Sequence, residues 1–244
     1  MSRFTDNNSG YTLIELVMVI LIIGVLAGVA SKTFIETLDT AKFEATRAEM
    51  QALAFAIAGN PNVYTKGART DFGYVGDVGA MPPDLDALVT NPGLSTWDGP
   101  YIKGDFDNDD FKFDGWNTAY ILTDSLLRST GSGSNIDKIF IAATAKLLSN
   151  SVSGYFLDAD RQRPGAIYKD SLTVILTYPD GSGGVANAST APNANGNFAF
   201  SGIPIGNHNL RVIYIPDSDT VSYVVCVEAG RSLTLDVTFP ADLW

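Results

Sequence analysis

Cysteine and histidine each occur once in this 244-residue chain, at Cys226 and His208, and 16 lysines and arginines face 27 aspartates and glutamates. One cysteine cannot close an intramolecular disulfide, so no cysteine framework staples the fold. Cys226, between Tyr223 and Val227, reads as a small buried hydrophobe rather than a nucleophile. A single histidine leaves little for zinc or triad chemistry, and His208 reads as a structural residue at a turn before Leu210. No G-x-S-x-G elbow, phosphate-cradling glycine loop or paired metal-ligand spacing is present, so the chain is not expected to be an enzyme. A net charge of -11 without a clustered basic face excludes nucleic acid as a partner and disfavours anionic lipid headgroups.

One long apolar run is there. From Tyr11 to Ala30 the only charged side chain is Glu15, and about 20 helical residues at ~1.5 Å rise cross one hydrocarbon core. A carboxylate in such a segment is costly and asks for a functional partner. Gly24-x-x-x-Gly28 adds a helix-packing face. Two plainer readings use the same residues. One is a secretory signal cut after Gly28-Val29-Ala30, although Arg3 is offset by Asp6 and Glu15 would sit inside its apolar region. The other is a simple single-pass anchor, whose orientation Arg3, Lys32 and Lys42 hardly decide.

Gly10, an aromatic, Thr12, two aliphatics, Glu15, Val17 to Ile23, Gly24 and Ala27 resemble the N-terminal signal of type IV pilins and type II secretion pseudopilins. The resemblance implies a leader over residues 1–10, cleavage after Gly10 by a prepilin peptidase, and methylation of the new terminus at Tyr11. It implies that Glu15 neutralises the terminal amine of a neighbouring subunit in a homo-oligomeric filament, where Coulomb attraction is much stronger than in water. The implied partners are that peptidase, a secretion or pilus assembly platform, and the inner membrane before export to a periplasmic or extracellular filament. The chain has Tyr11 and Lys32 where the family usually has phenylalanine and a helix-bending proline.

Beyond the anchor, Phe34, Leu38, Ala41, Ala45, Ala48 and Ala52 recur at helical spacing, which predicts one helix over 11–58 ending near Gly59-Asn60-Pro61. The alanine-rich stripe is expected to pack under a head. Residues 61–128 read as loops and short strands, with a Pro-initiated helix at Met81 to Leu88. That helix, then Gly99-Pro100-Tyr101, then Asp114-Gly115-Trp116-Asn117-Thr118-Ala119-Tyr120 resemble the major, G-type pseudopilins, with Asn117 and Gly115 standing where the family has glycine and proline. Many type IV pilins carry a C-terminal disulfide, so the lone Cys226 favours the pseudopilin branch. Ile136 to Leu147 fits a helix, or a buried strand over Ile139 to Ala143.

From Val152 the pattern has period two, at Leu172, Val174 and Leu176, at Leu210, Val212 and Tyr214, and at Leu233, Leu235, Val237 and Phe239. With turns at Pro179-Asp180-Gly181, Asn195-Gly196-Asn197 and Ala229-Gly230-Arg231, this predicts a β-sandwich over 151–244 after a pilin-like module over 11–150. The expected class is α+β. Gly154 to Asp160, Gly196 to Phe200, Ile203-Pro204-Ile205-Gly206 and Gly230 to Phe239 resemble carboxypeptidase regulatory-like, transthyretin-related domains, which implies a spacer or binding surface and no hydrolysis. Another class of function shares these features, a membrane-tethered envelope or carbohydrate-binding protein with no filament role.

Asp105, Asp107 and Asp109, with Asp110 and Asp114 near them, place oxygen donors at alternate positions, as Ca²⁺ requires. Asp110 and Trp116 stand where an EF-hand needs glycine and a bidentate glutamate, which leaves a looser Ca²⁺ loop. In the G-type family calcium is held after the tryptophan turn, a region matched here by Asp124 to Asp137.

Overall fold

A computed structural model describes residues 11–102, 110–140 and 145–244. Its class is α+β, a long N-terminal helix followed by β-sheets. The described residues fall into two compact units, one up to Ala45 and one from Thr46 onward.

Helix α1 (Leu13–Ala58) runs 46 residues without interruption. With Lys32 in place of proline, no backbone N–H is missing from its ladder there. The hydroxyls of Ser31, Thr33, Thr37 and Thr40 donate to the carbonyls four residues earlier, at 2.8 to 3.2 Å. The helix stops where the sequence predicts. Gly59 takes φ 75°, its N–H bonds Phe55 O at 2.7 Å, and a Cβ there would meet Asp71 O at 2.3 Å, so both handedness and space require glycine. The Arg69 guanidinium caps the end by donating to Ala58 O at 2.7 Å.

In the second unit, the buried face of α1 is Thr46, Met50, Leu53, Ala54, Ala56 and Ile57. This corrects the expected stripe, because Ala48 and Ala52 are exposed. The true face lies one residue on, about 100° round the helix. Burying Met, Leu and Ile gains about 1.5–3 kcal/mol each, far more than an alanine methyl offers, so the larger side chains set the docked face.

Met50, Leu53 and Ile57 form one core with Tyr74, Val75 and Val78 of α2 (Gly73–Val78), and with Leu88, Phe111, Tyr120, Leu127, Leu147 and Ile205. The unit also holds the hairpin β1 (Tyr64–Thr65) and β2 (Ala68–Arg69) and the antiparallel sheet of β3 (Ile121–Leu122), β4 (Leu126–Ser129) and β5 (Ile136–Ile139), which gives Leu127 to the core. The Pro-initiated helix shrinks to a single 3₁₀ turn at Asp86–Leu88. Asp84 Oδ1 accepts the Ala87 N–H at 3.0 Å, and a side chain bonding nearby backbone competes with a longer helix. The ambiguous segment from Ile136 starts as a strand, with a helical turn only at α3 (Ala145–Leu148). Cross-strand pairing with β4, including Arg128 on Asp137 at 2.6 and 2.8 Å, decides for strand.

The remaining strands build a seven-stranded, two-sheet sandwich. One sheet has the order β11 (Asp219–Val227), β10 (Gly206–Tyr214), β7 (Leu172–Pro179), β8 (Val185–Thr190). The other has β12 (Ser232–Thr238), β6 (Asn150–Leu157), β9 (Asn197–Ile203), with β12 parallel to β6. Leu172, Val174 and Leu176 face Val152, Phe156, Phe198, Phe200 and Val237 in a second core, with Leu210, Val212 and Tyr214 beside them. The two cores abut. Ile205 N–H bonds Leu147 O at 2.8 Å, Gly181 N–H bonds Val78 O at 2.9 Å, and Asn207 Nδ2 bonds Arg69 O at 3.1 Å.

Candidate functional site

The first turn of α1 is closed by its own side chains. Thr12 stands at the N-cap, its Oγ1 accepting the Glu15 N–H at 3.3 Å. Glu15 Oε2 reaches back to accept the Thr12 N–H and the Thr12 hydroxyl, both at 3.0 Å. This reciprocal Thr-x-x-Glu arrangement satisfies helix-end donors and puts a negative charge at the positive end of the helix. The capping role of Thr12 is an addition to its place in the N-terminal signal, and its spacing is visible in Thr12-Leu13-Ile14-Glu15.

Below this turn the helix presents an uncovered apolar surface. Tyr11, Leu13 and Ile14 are 87%, 82% and 76% exposed, and a membrane-length window of the helix has mean hydropathy 2.8 with nothing buried. Gly24 and Gly28 have nothing within 4 Å of an added Cβ, so their notch is open to a neighbouring helix. Gly10 lies outside the described residues.

In the second unit the Trp116 turn is organised by one carboxylate. Asp114 is 5% exposed; its Oδ1 accepts the N–H groups of Trp116 at 3.0 Å and Thr118 at 2.9 Å. Its Oδ2 accepts the Ser129 hydroxyl at 2.5 Å and the Gly131 N–H at 3.0 Å. Desolvation raises its pKa, but the bonds from Ser129, Thr118, Gly131 and Trp116 together outweigh it and hold the carboxyl below its ordinary range. Asn117 takes a left-handed conformation (φ 61°), which asparagine is among the residues that tolerate. Thr46 Oγ1 accepts the Gly115 N–H at 2.9 Å, and Tyr120 donates to Glu49 at 2.8 Å, tying the turn to α1. Asp114 is thus a structural clamp. Asp105, Asp107 and Asp109, the expected calcium donors, lie outside the described residues. Asp137, in the alternative calcium region, is engaged by Arg128.

His208 lies inside β10, not at a turn; it is 2% exposed, with a ring nitrogen 2.7 Å from Pro204 O. Desolvation pushes its pKa down and so keeps it neutral at pH 7. Cys226 is half-buried with Sγ 3.9 Å from Arg69 O, and desolvation raises its thiol pKa, the opposite of what activates a nucleophile. A cleft beside α2, about 530 Å³, is lined by Asp71, Asp77, Asp98 and Tyr101. Asp77 is pushed up to about 6, by desolvation above all, and hydrogen-bonds Tyr101.

Residues 5–31 match the family model described as the prokaryotic N-terminal methylation motif. No curated protein matches the chain. Among solved structures, the chain overlaps the dioxygenase domain of a dioxygenase and carbohydrate-binding protein fusion from Streptomyces sp. SirexAA-E, at 11% identity, 39% of this chain, 81% of that one and TM-score 0.30. A putative carbohydrate binding protein from Pseudomonas aeruginosa overlaps at 16% identity, 38% and 90% coverage and TM-score 0.26. The major pilin subunit of Bacillus cereus overlaps at 11% identity, 48% and 37% coverage and TM-score 0.27. At such scores these overlaps carry no weight for function.

Proposed function

We propose that this chain is a structural subunit of a type IV filament, made as a membrane-anchored prepilin, cleaved after Gly10, methylated at Tyr11 and polymerised through α1. One observation carries the reading: the methylation motif over residues 5–31 lies on an unbroken helix whose membrane-length apolar stretch is wholly exposed in the single chain. Such a surface needs lipid or other helices around it. Before assembly the bilayer covers it; afterwards neighbouring α1 helices do, with Gly24 and Gly28 at the closest approach. Glu15 then exchanges its contacts to Thr12 for the terminal amine of an adjacent Tyr11, which fixes register.

The role is mechanical, not enzymatic. Order in the Trp116 turn and the single Cys226 support the pseudopilin branch over the pilin branch. The sandwich acts as a spacer or binding surface on the outside of the filament, and the loop carrying Asp105, Asp107 and Asp109 is a calcium loop in this reading. The deciding experiment is mass spectrometry of the N-terminus of protein isolated from its native membrane. Methylated Tyr11 is expected. An intact Met1 or a start at Ser31 would sink the filament reading and leave a tethered or secreted binding protein.

A further inference from the structure

Beside the C-terminal end of α1, two cations share a cavity whose lining carries no counter-charge. The cavity, about 270 Å³, is lined by Gln51, Phe55 and Ala58 of α1, by Arg69 of β2, by Lys138 of β5 and by Ile205, and no aspartate or glutamate is among its walls. Arg69 is 8% exposed, yet the acceptors its guanidinium meets are neutral carbonyls: Nε donates to Asp71 O at 2.8 Å and Nη2 to Ala58 O at 2.7 Å. The same group lies over the Phe72 ring, 4.4 Å from its centre. Lys138, half-buried, donates to Gln51 Oε1. Among the described residues neither cation forms an ion pair.

Burying a guanidinium without a carboxylate is costly. Desolvation lowers the Arg69 pKa, and the negative charges of Asp71 and Glu228 offset it only in part. With 27 acidic side chains against 16 basic ones, a carboxylate in this cavity would be the ordinary outcome, yet none of the described ones lines it. The charge balance also selects the ligand. The end of α1 contributes about half a negative charge through its last carbonyls, so Arg69 and Lys138 leave roughly one and a half positive charges, which a monoanion meets better than a dianion. Phe55, Ala58 and Ile205 present apolar surface, which favours an anion with an apolar stem over a bare inorganic ion.

We propose that this cavity binds a carboxylate carried on a short aliphatic stem, its oxygens taken by Arg69 and Lys138 and its methylenes by Phe55, Ala58 and Ile205. A planar carboxylate matches the fork of a guanidinium, and the ammonium of Lys138 adds a second charge-assisted bond. Two sources share that chemistry, a free small acid and a glutamate side chain on another chain.

The test is thermal unfolding of the full chain in detergent at pH 7.5, titrated with sodium butyrate while sodium chloride holds the ionic strength constant. A saturable rise of about 5–10 °C is expected at butyrate about 100-fold above Kd. Arg69→Gln removes a helix cap along with the charge, so Lys138→Gln is the variant to read: it should fold and bind butyrate about tenfold or more weakly, the loss of one charge-assisted hydrogen bond. Lys169→Gln, whose lysine pairs with Asp170 at 2.6 Å, should respond as wild type does. A glutamate with both main-chain ends blocked, run in the same titration, identifies the source: binding tighter than butyrate means a side chain on another chain, and weaker binding means a free acid. A rise that is absent or does not saturate, that is unchanged in Lys138→Gln, or that inorganic phosphate produces equally well overturns the assignment and leaves Arg69 as a helix cap alone.

Discussion

Removing the clamp at Asp114 should unhinge the turn that joins α1 to the β3–β5 sheet. Its two oxygens take four donors, from Trp116, Thr118, Ser129 and Gly131, at 2.5 to 3.0 Å. Asp114→Asn keeps one carbonyl oxygen for one pair of donors and sets an amide NH₂ against the other pair. Ser129 can rotate its hydroxyl to accept, but a backbone N–H cannot. One charge-assisted bond is lost and one or two buried donors are left unmet, a cost of about 2–4 kcal/mol. For a unit of this size that is a fall in Tm of about 5–15 °C. Asp114→Ala should cost more, because all four donors lose their partner. The pH course has a definite sign. The folded carboxyl lies below its ordinary range, so its contribution is fully present above the unfolded value, near 3.9, and is lost as pH falls through the folded one. The gap between wild type and Asp114→Asn should stay constant from pH 5 to 8 and narrow below about pH 4. Urea unfolding followed by tryptophan fluorescence measures it, with and without EDTA, because a structural clamp is indifferent to calcium. A loss under about 0.5 kcal/mol at pH 7 would refute the hydrogen-bond argument.

Other outcomes follow from the same structure. Asp77, raised to about 6 from an ordinary value near 3.9, is held more tightly protonated when folded, so stability should fall as pH rises from about 4 to 6. Discounted for its partial exposure, the effect is about 1–2 kcal/mol, and Asp77→Asn should flatten it and unfold later at pH 7.5. Ile57→Ala, at a fully buried position, should cost about 2–5 kcal/mol, whereas Ala52→Ser should change stability by under about 0.5 kcal/mol; denaturant midpoints separate the two. Glu15→Ala should leave the second unit as stable as wild type yet reduce filament yield in a sheared-fibre assay, and normal yield would end the proposed register role.

The elements legible in the sequence are those whose signal is local. The membrane-length run, the capping residue and Gly59 fix the two ends of α1, because helix propagation and its termination depend on neighbouring backbone groups. The alternation in β7 and β10 marks strands that bury one face whatever they pack against. By contrast β8, Val-Ala-Asn-Ala-Ser-Thr, has no fully buried position and no alternation of large apolar residues; it is a strand because the edge of β7 pairs with it. Which face of α1 docks, whether Ile136 begins a strand, and that His208 lies within β10 were likewise settled by partners distant in the chain. The same division holds for the sites. Glu15 is conspicuous because charge is rare in an apolar run, whereas Asp114 and Asp77 look like ordinary acidic residues until the fold removes water from them. Desolvation and hydrogen-bond geometry, which give a carboxylate its role, are properties of the packed chain and have no local sequence signature.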